Sequence, residues 1–193
     1  MERFPEEIVE HYEQEIDEGR RITRGLGQLE LLRTRNLPAA QASFDAVLLL
    51  GPLYHLTERA DRVRALSEAA RVVGPGGVVF AAAISRFASL FDGLAREFLF
   101  DPEFRAIVER DLREGQHRNP RHRPHWFTTA FFHHPEELRA EVAEAGLEVV
   151  ELVGVEGLAG SLPQLGQRWE SDRDRELSCG RPGRSRPSRP CSG

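Results

Sequence analysis

The stretch Ser43-Phe44-Asp45-Ala46-Val47-Leu48-Leu49-Leu50-Gly51-Pro52-Leu53-Tyr54-His55-Leu56 decides the fold of this 193-residue chain. Its apolar residues run without alternation, which predicts a strand at 44–50 that is buried on both faces, as in a parallel sheet. Gly51 and Pro52 end the run. Because open α/β sheets bind ligands at the carboxyl ends of their strands, we expect Tyr54 and His55 to lie beside a ligand.

A helix and a second strand follow this stretch. Apolar residues recur at helical spacing and predict a helix over 57–73, which the glycine-rich run Gly74–Gly77 ends. The apolar run 78–84 predicts a second strand, adjacent and parallel to the first, with the helix packed across the pair. The pattern indicates one β-α-β unit with a right-handed crossover. Later in the chain, a helix over 135–145 ends at Gly146, and 147–155 is predicted as a third strand of the same sheet.

These residues resemble the middle of a class I S-adenosylmethionine-dependent methyltransferase. The resemblance rests on 43–47 entering the first strand, on 51–56 leaving it, and on the helix end at 68–73 followed by Gly74–Gly77. In broken form it covers residues 5–155. It implies an α/β fold with a partial Rossmann-like sheet of about three parallel or mixed strands, flanking helices and an N-terminal helical segment. It also implies S-adenosylmethionine as the methyl donor and a small molecule as the acceptor.

The resemblance divides the chain into three segments and shows that one part of the family's fold is missing. N-terminal helices are expected over 1–38, the C-terminal half of a methyltransferase domain over 39–156, and a poorly ordered tail over 157–193. Only seven residues separate Arg35 from Ser43, where the family places three strands, its glycine-rich donor loop and a ribose-binding acid. Two β-α-β units need on the order of 60 residues. We therefore expect a truncated methyltransferase, with a sequence error at this junction as the alternative.

Donor and catalytic candidates follow from the resemblance. It assigns Leu50, Gly51, Pro52 and Tyr54 to the donor, and Tyr12 in the N-terminal helices as well. For Tyr12, simple packing against neighbouring isoleucines is the alternative. His55 is the catalytic candidate, because an imidazole titrates near neutral pH and can take a proton from an acceptor hydroxyl or amine. The alternative is that His55 caps the helix beginning at Thr57.

The acceptor side is expected in the segment 86–114. The amphipathic run 85–99 predicts one helix, and Asp101 is placed to cap a second helix over 102–112. This pair either forms a lid over the acceptor or simply covers the core. Phe91, Trp126 and His133 are the substrate-binding candidates, with Trp126 at the start of an extended apolar segment, 126–132, that packs against the lid.

Several other classes of function find little support in the sequence. The glycines near 25–27 resemble a dinucleotide loop, but no strand precedes them and the third glycine is absent. His117, His122 and His125 have no carboxylate or cysteine among them, so we predict no metal site. The net charge of −5 argues against a nucleic-acid partner. No apolar run reaches membrane-spanning length and no signal-peptide pattern is present, so we expect a cytoplasmic protein.

Two functions therefore remain open at this point. The first is methyl transfer to a small-molecule acceptor. The second is a catalytically inactive remnant that acts as a binding or dimerising module. Without the family's first strand, residues 46–50 form a free strand edge, which predicts self-association.

Overall fold

The computed structural model describes residues 36–123 and 125–155. The elements below belong to Met1–Leu152, one of the two units into which the chain divides. In chain order they are β1 (Phe44–Leu49), α1 (Pro52–His55), α2 (Arg59–Val72), β2 (Val73–Ala81), β3 (Ile84–Ser85), α3 (Ala88–Ala95), a 3-10 turn (Phe98–Phe100), α4 (Pro102–Glu114), β4 (Gln116–His117), β5 (Ala130–His133) and α5 (Pro135–Glu144). The predicted mixed α/β class is confirmed. The predicted N-terminal helices and the tail lie outside the described residues.

Strands β1 and β2 are adjacent and parallel, as predicted. Ala46 lies opposite Val78, and Leu49 lies opposite Ala81. Helix α2 joins the two strands and packs against them, so the β-α-β unit is confirmed. The sequence did not predict the short helix α1, which begins at Pro52 because the fixed φ angle of proline suits a first helical turn.

The glycine-rich run after α2, which we predicted only to end the helix, is part of a strand. Helix α2 ends at Val72 and β2 begins at the next residue. Between Phe44 and Ala46 the partner on β2 jumps from Val73 to Val78, so the extra residues, 74–77, lie in β2. A Cβ at Gly77 would lie 2.7 Å from the carbonyl oxygen of Asp45. Glycine is therefore required where the two backbones approach this closely.

The prediction that β1 is buried on both faces is wrong. Leu49 is buried and packs with Leu53 and Leu66 in a core cluster on the α2 side of the sheet. Leu48, in contrast, is 67% exposed, and Phe80 on β2 is 53% exposed. Successive side chains of a strand point to opposite faces. Within the described residues α2 covers one face of this sheet, so the alternate residues remain exposed.

The remaining strands form a second small sheet with the order β3-β5-β4. Strand β3 is parallel to β5, and β4 is antiparallel to it. The predicted strand at 147–155 is wrong, because this segment has no strand structure and its Val150 and Val155 are exposed. An apolar run becomes a strand only where a neighbour supplies backbone hydrogen bonds, and no described strand pairs with it. Gly146, with a φ of 79°, follows α5 as predicted.

The two helices predicted for the lid region 86–114 are present, but the first is shorter than expected. Helix α3 ends at Ala95, and Glu97 adopts a left-handed conformation before the 3-10 turn. Helix α4 begins as predicted, with Asp101 Oδ1 accepting a hydrogen bond from the Glu103 backbone N–H at 2.8 Å. Trp126 packs against Phe104 in α4, as predicted for the segment 126–132. Only the end of that segment is a strand, in β5.

Candidate functional site

The carboxyl end of β1 carries the residues predicted to bind the donor. Leu50 is exposed and Pro52 is buried at the start of α1. Gly51 is the N-cap of α1, and a Cβ built there would lie 3.9 Å from the Tyr54 hydroxyl oxygen. The Tyr54 hydroxyl therefore lies beside the strand end. The described structure brings these four residues together at one edge of the sheet.

His55 is buried, with 7% of its surface exposed. Its Nδ1 lies 3.4 Å from the carbonyl oxygen of Thr129, and its ring stacks on Phe127 with 6.2 Å between the ring centroids. Because a carbonyl only accepts, Nδ1 carries the hydrogen in this contact. The alternative role as a helix cap is wrong, since the N-cap of α2 is Glu58 and no side chain caps it.

Phe127 lies between the end of β1 and a cavity in the lid region. Its ring centroid is 6.5 Å from that of Tyr54 and 6.1 Å from that of His117. Its φ of 55° lies in the left-handed region, which is rare for a bulky residue. Such strain persists only where the surroundings hold the backbone in place, and it is common at ligand sites.

The cavity has a volume of about 420 Å³, which is within the range of small-molecule sites. It lies beside α3 and α4, and most of its wall is aromatic or apolar. Its lining residues are Ile84, Ala88, Ser89, Asp92, Arg96, Phe104, His117, His125, Trp126, Phe127 and Phe132. Of the three predicted substrate-binding residues, the structure places Trp126 in this wall and does not place Phe91 or His133 there.

Three polar side chains line the cavity from α3 and from the residue that follows it: Ser89, Asp92 and Arg96. Ser89 Oγ is buried and has no hydrogen-bond partner in the described structure. Asp92, one turn later, pairs with Arg96 at 3.0 Å. Burial raises the pKa of the Asp92 carboxyl, and the charge of Arg96 opposes that rise. Leaving a buried hydroxyl unpaired is unfavourable. Ser89 therefore favours a molecule in the cavity that forms a hydrogen bond with its Oγ.

A buried His117–Asp111 pair fixes one wall of the cavity. His117 Nδ1 lies 2.7 Å from Asp111 Oδ2, and Nε2 lies 2.9 Å from the carbonyl oxygen of Trp126. Since that carbonyl only accepts, Nε2 carries a hydrogen, and Nδ1 lies within hydrogen-bond distance of the Asp111 carboxylate. The sequence analysis missed this pair, because Asp111 lies on the preceding helix α4 and not among the histidines of the loop. Within the described residues no group of three potential ligands could hold a metal ion.

His133 lies in a different environment from the one predicted. Its Nε2 is 3.1 Å from Glu141 Oε2, and Glu141 also pairs with Arg62 at 2.7 Å. All three side chains are buried. Phe91 is half-buried and contacts Phe87, with 6.3 Å between ring centroids. Sequence reasoning missed the Arg62–Glu141 pair; the only signal was a charge placed among the apolar residues of α2.

The sequence profile of the family described as "Methyltransferase domain" matches residues 9–81, a range that includes β1, α2 and β2. Residues 9–81 therefore resemble a methyltransferase domain. The match covers less than half of the 193 residues. It ends at the last residue of β2, so the lid region and the cavity lie beyond it.

Curated proteins match this chain over a short segment. The probable tRNA methyltransferase 9B proteins of Mus musculus, Bos taurus and Homo sapiens are each 43% identical over 42 residues. That segment is 22% of this chain and 9% of each relative's length. The chain therefore spans only a small part of the relatives it matches. No solved structure matches the chain.

The methyltransferase family implies S-adenosylmethionine, and the described residues fit only part of it. Gly51 and Tyr54 offer a close backbone approach and a hydroxyl group at the end of β1. The residues that precede β1 in the described structure, 36–43, contain no glycine and no acid. They therefore supply neither a glycine-rich turn nor a carboxylate for a ribose. Tyr12 lies outside the described residues.

Among residues 36–123 and 125–155, no helix is both long and apolar enough to cross a membrane.

Proposed function

We propose that this methyltransferase chain transfers a methyl group from S-adenosylmethionine to a small molecule held in the cavity beside α3 and α4. The observation that carries the proposal is the position of Phe127. Its ring lines the cavity on one side and contacts Tyr54 and His55 at the end of β1 on the other. Methyl transfer chiefly requires alignment of donor and acceptor with water excluded, and a largely apolar cavity next to the strand end suits that requirement.

The proposed roles follow from position. Leu50, Gly51, Pro52 and Tyr54 contact the donor from the end of β1. His55 accepts a proton at Nε2 when the acceptor is a hydroxyl or an amine. Trp126 and Phe127 hold the acceptor by ring contacts. The observed positions of Phe91 and His133 do not support acceptor contacts, and a donor contact from Tyr12 stays a prediction.

A second candidate function is a non-catalytic binding or dimerising module. It is favoured by the exposed apolar side chains of Phe44, Leu48 and Phe80 on the β1–β2 sheet. It is also favoured by the second edge of β1, which pairs with no described strand. Contiguous exposed apolar surface often marks an interaction site.

The names of the relatives raise transfer RNA as an alternative acceptor. Two observations favour a small molecule instead. The chain carries a net charge of −5, whereas nucleic-acid binding relies on neutralising phosphates with basic side chains. The cavity volume of about 420 Å³ suits a small molecule.

Transfer of a labelled methyl group tests the proposal. The chain is incubated with millimolar methyl-tritiated S-adenosylmethionine and, in separate reactions, with phenols, small amines or bulk transfer RNA. We expect slow labelling of small molecules, reduced about 100-fold or more by His55→Gln and unchanged by His122→Gln on the exposed surface. Label in transfer RNA alone would contradict the small-molecule acceptor. No label in any reaction would favour the binding module.

A further inference from the structure

We propose that the cavity binds a flat, uncharged aromatic molecule with one hydroxyl group, and that this hydroxyl pairs with Ser89. The identification of such a molecule as the methyl acceptor rests on the proposed function. The binding itself does not, because it depends only on the cavity wall.

The shape of the ligand follows from the aromatic wall. Phe104 and Trp126 meet edge to face with 5.1 Å between centroids, and His117 stacks on Phe132 at 4.7 Å. The hydrogen bond from His117 Nε2 to the Trp126 carbonyl ties these two pairs together. Rings held in this way offer faces and edges to a further ring, in the geometries that aromatic pairs prefer.

The absence of charge on the ligand follows from the pairing of the charged groups in the wall. Asp92 pairs with Arg96 at 3.0 Å, and His117 pairs with Asp111 at 2.7 Å. The other titratable group of the wall, His125, lies at its exposed side. An ionic ligand would lose its hydration and meet charges that are already compensated, which disfavours it.

The hydroxyl group follows from Ser89. Its Oγ is buried in the cavity wall and lacks a hydrogen-bond partner in the described structure. A serine hydroxyl both donates and accepts, so a ligand hydroxyl can pair with it in either direction. Asp92 lies one helical turn from Ser89 and also lines the cavity.

Calorimetric titration of the full chain, without any methyl donor, tests the inference. The probes are 2-naphthol, naphthalene, 2-naphthoate and 2-naphthylmethylammonium. We expect 2-naphthol to bind at one site, about fivefold more tightly than naphthalene, the factor that one neutral hydrogen bond gives. Ser89→Ala removes this preference. Ser43→Ala, which changes an exposed serine outside the cavity, retains it.

Three outcomes would overturn the inference. One is binding of either ionic probe as tight as that of 2-naphthol, which would contradict the uncharged ligand. Another is a naphthol preference that persists in Ser89→Ala, provided that the variant keeps the melting temperature of the parent chain. The third is no binding of any naphthalene probe. Binding of 2-naphthol without methyl transfer would instead contradict only the proposed function.

Discussion

The guanidinium of Arg62 and the carboxylate of Glu141 form a buried ion pair between α2 and α5. Arg62 Nε lies 3.0 Å from Glu141 Oε2, the closest N–O distance is 2.7 Å, and both side chains are about 2% exposed. Arg62 also donates to the Leu56 and Thr57 carbonyl oxygens, at 3.0 and 2.8 Å, and lies 3.5 Å from the centre of the Phe131 ring. This one side chain therefore joins the segment that matches the methyltransferase family to the elements that follow the lid.

Breaking this pair should destabilise the protein strongly. Arg62→Met leaves the Glu141 carboxylate buried without its main partner, which costs about 3–5 kcal/mol in the free energy of unfolding. Arg59→Met is the matched control, because Arg59 and Glu144 join the same two helices by an exposed pair at 2.6 Å, and exposed pairs contribute little. Urea unfolding followed by circular dichroism measures both variants. Equal losses in the two variants would contradict a special role for the buried pair.

The same network predicts acid sensitivity. Burial would raise the pKa of Glu141, but hydrogen bonds from His133 and Arg62 and their charges outweigh it and lower the pKa from 4.5 to about 2. The pKa of the folded state is below that of the unfolded state, so this stabilisation is complete above about pH 5 and is lost as the pH falls towards 2. The loss amounts to roughly 3 kcal/mol. Unfolding free energies measured between pH 6 and 3 should decline more steeply in the parent chain than in Glu141→Gln; equal slopes would refute this assignment.

Two glycines at helix ends should respond differently to alanine. Gly115 and Gly146 both have positive φ, 71° and 79°, so alanine at either position costs about 1 kcal/mol in backbone strain. A Cβ at Gly115 would also lie 2.3 Å from the Phe132 carbonyl oxygen, whereas a Cβ at Gly146 meets nothing within 4 Å. We expect Gly115→Ala to lower the free energy of unfolding at least twice as much as Gly146→Ala. Thermal unfolding of the two variants decides this, and equal losses would show that β5 moves to accommodate the methyl group.

S-adenosylmethionine should bind the chain no more tightly than about 1 mM. The described residues lack the glycine-rich turn and the carboxylate that the family uses, and three lost charge-assisted hydrogen bonds remove roughly 5–9 kcal/mol of binding free energy. Each 1.4 kcal/mol is a factor of ten in affinity. Calorimetric titration with S-adenosylmethionine and with its demethylated product measures this. Micromolar binding that Tyr54→Ala abolishes would show that a complete donor site is present after all.

The exposed face and edge of β1 should cause self-association. Leu48 is 67% exposed, and in the described structure β1 pairs with β2 alone. Unpaired strand edges beside apolar side chains template further strand pairing. Sedimentation velocity should show concentration-dependent association of the parent chain and less association of Leu48→Lys. Leu112→Lys, which removes an exposed leucine of α4, should leave association unchanged. A parent chain that stays monomeric at all concentrations would contradict the prediction.

The sequence alone determined the elements whose signals are local. The apolar run before Gly51 predicted β1, the helical spacing after Thr57 predicted α2, and Asp101 predicted the start of α4. These features depend on neighbouring residues, because hydrophobic periodicity, caps and turn residues act within a few positions. The same local reasoning placed Tyr54 and His55 at the carboxyl end of a strand.

The tertiary structure decided which local signals are used. The apolar run 147–155 lacks a strand partner in the described residues, so the predicted strand does not form. The outer face of β1 lacks a covering layer in the described residues, so the predicted burial of that face does not hold. The pairs Arg62–Glu141 and Asp111–His117 and the unpaired hydroxyl of Ser89 likewise became visible only in three dimensions. Arg62 and Glu141 are 79 residues apart, and no local pattern specifies that they meet. The path of the whole chain determines such contacts, because burial and pairing depend on what each side chain faces.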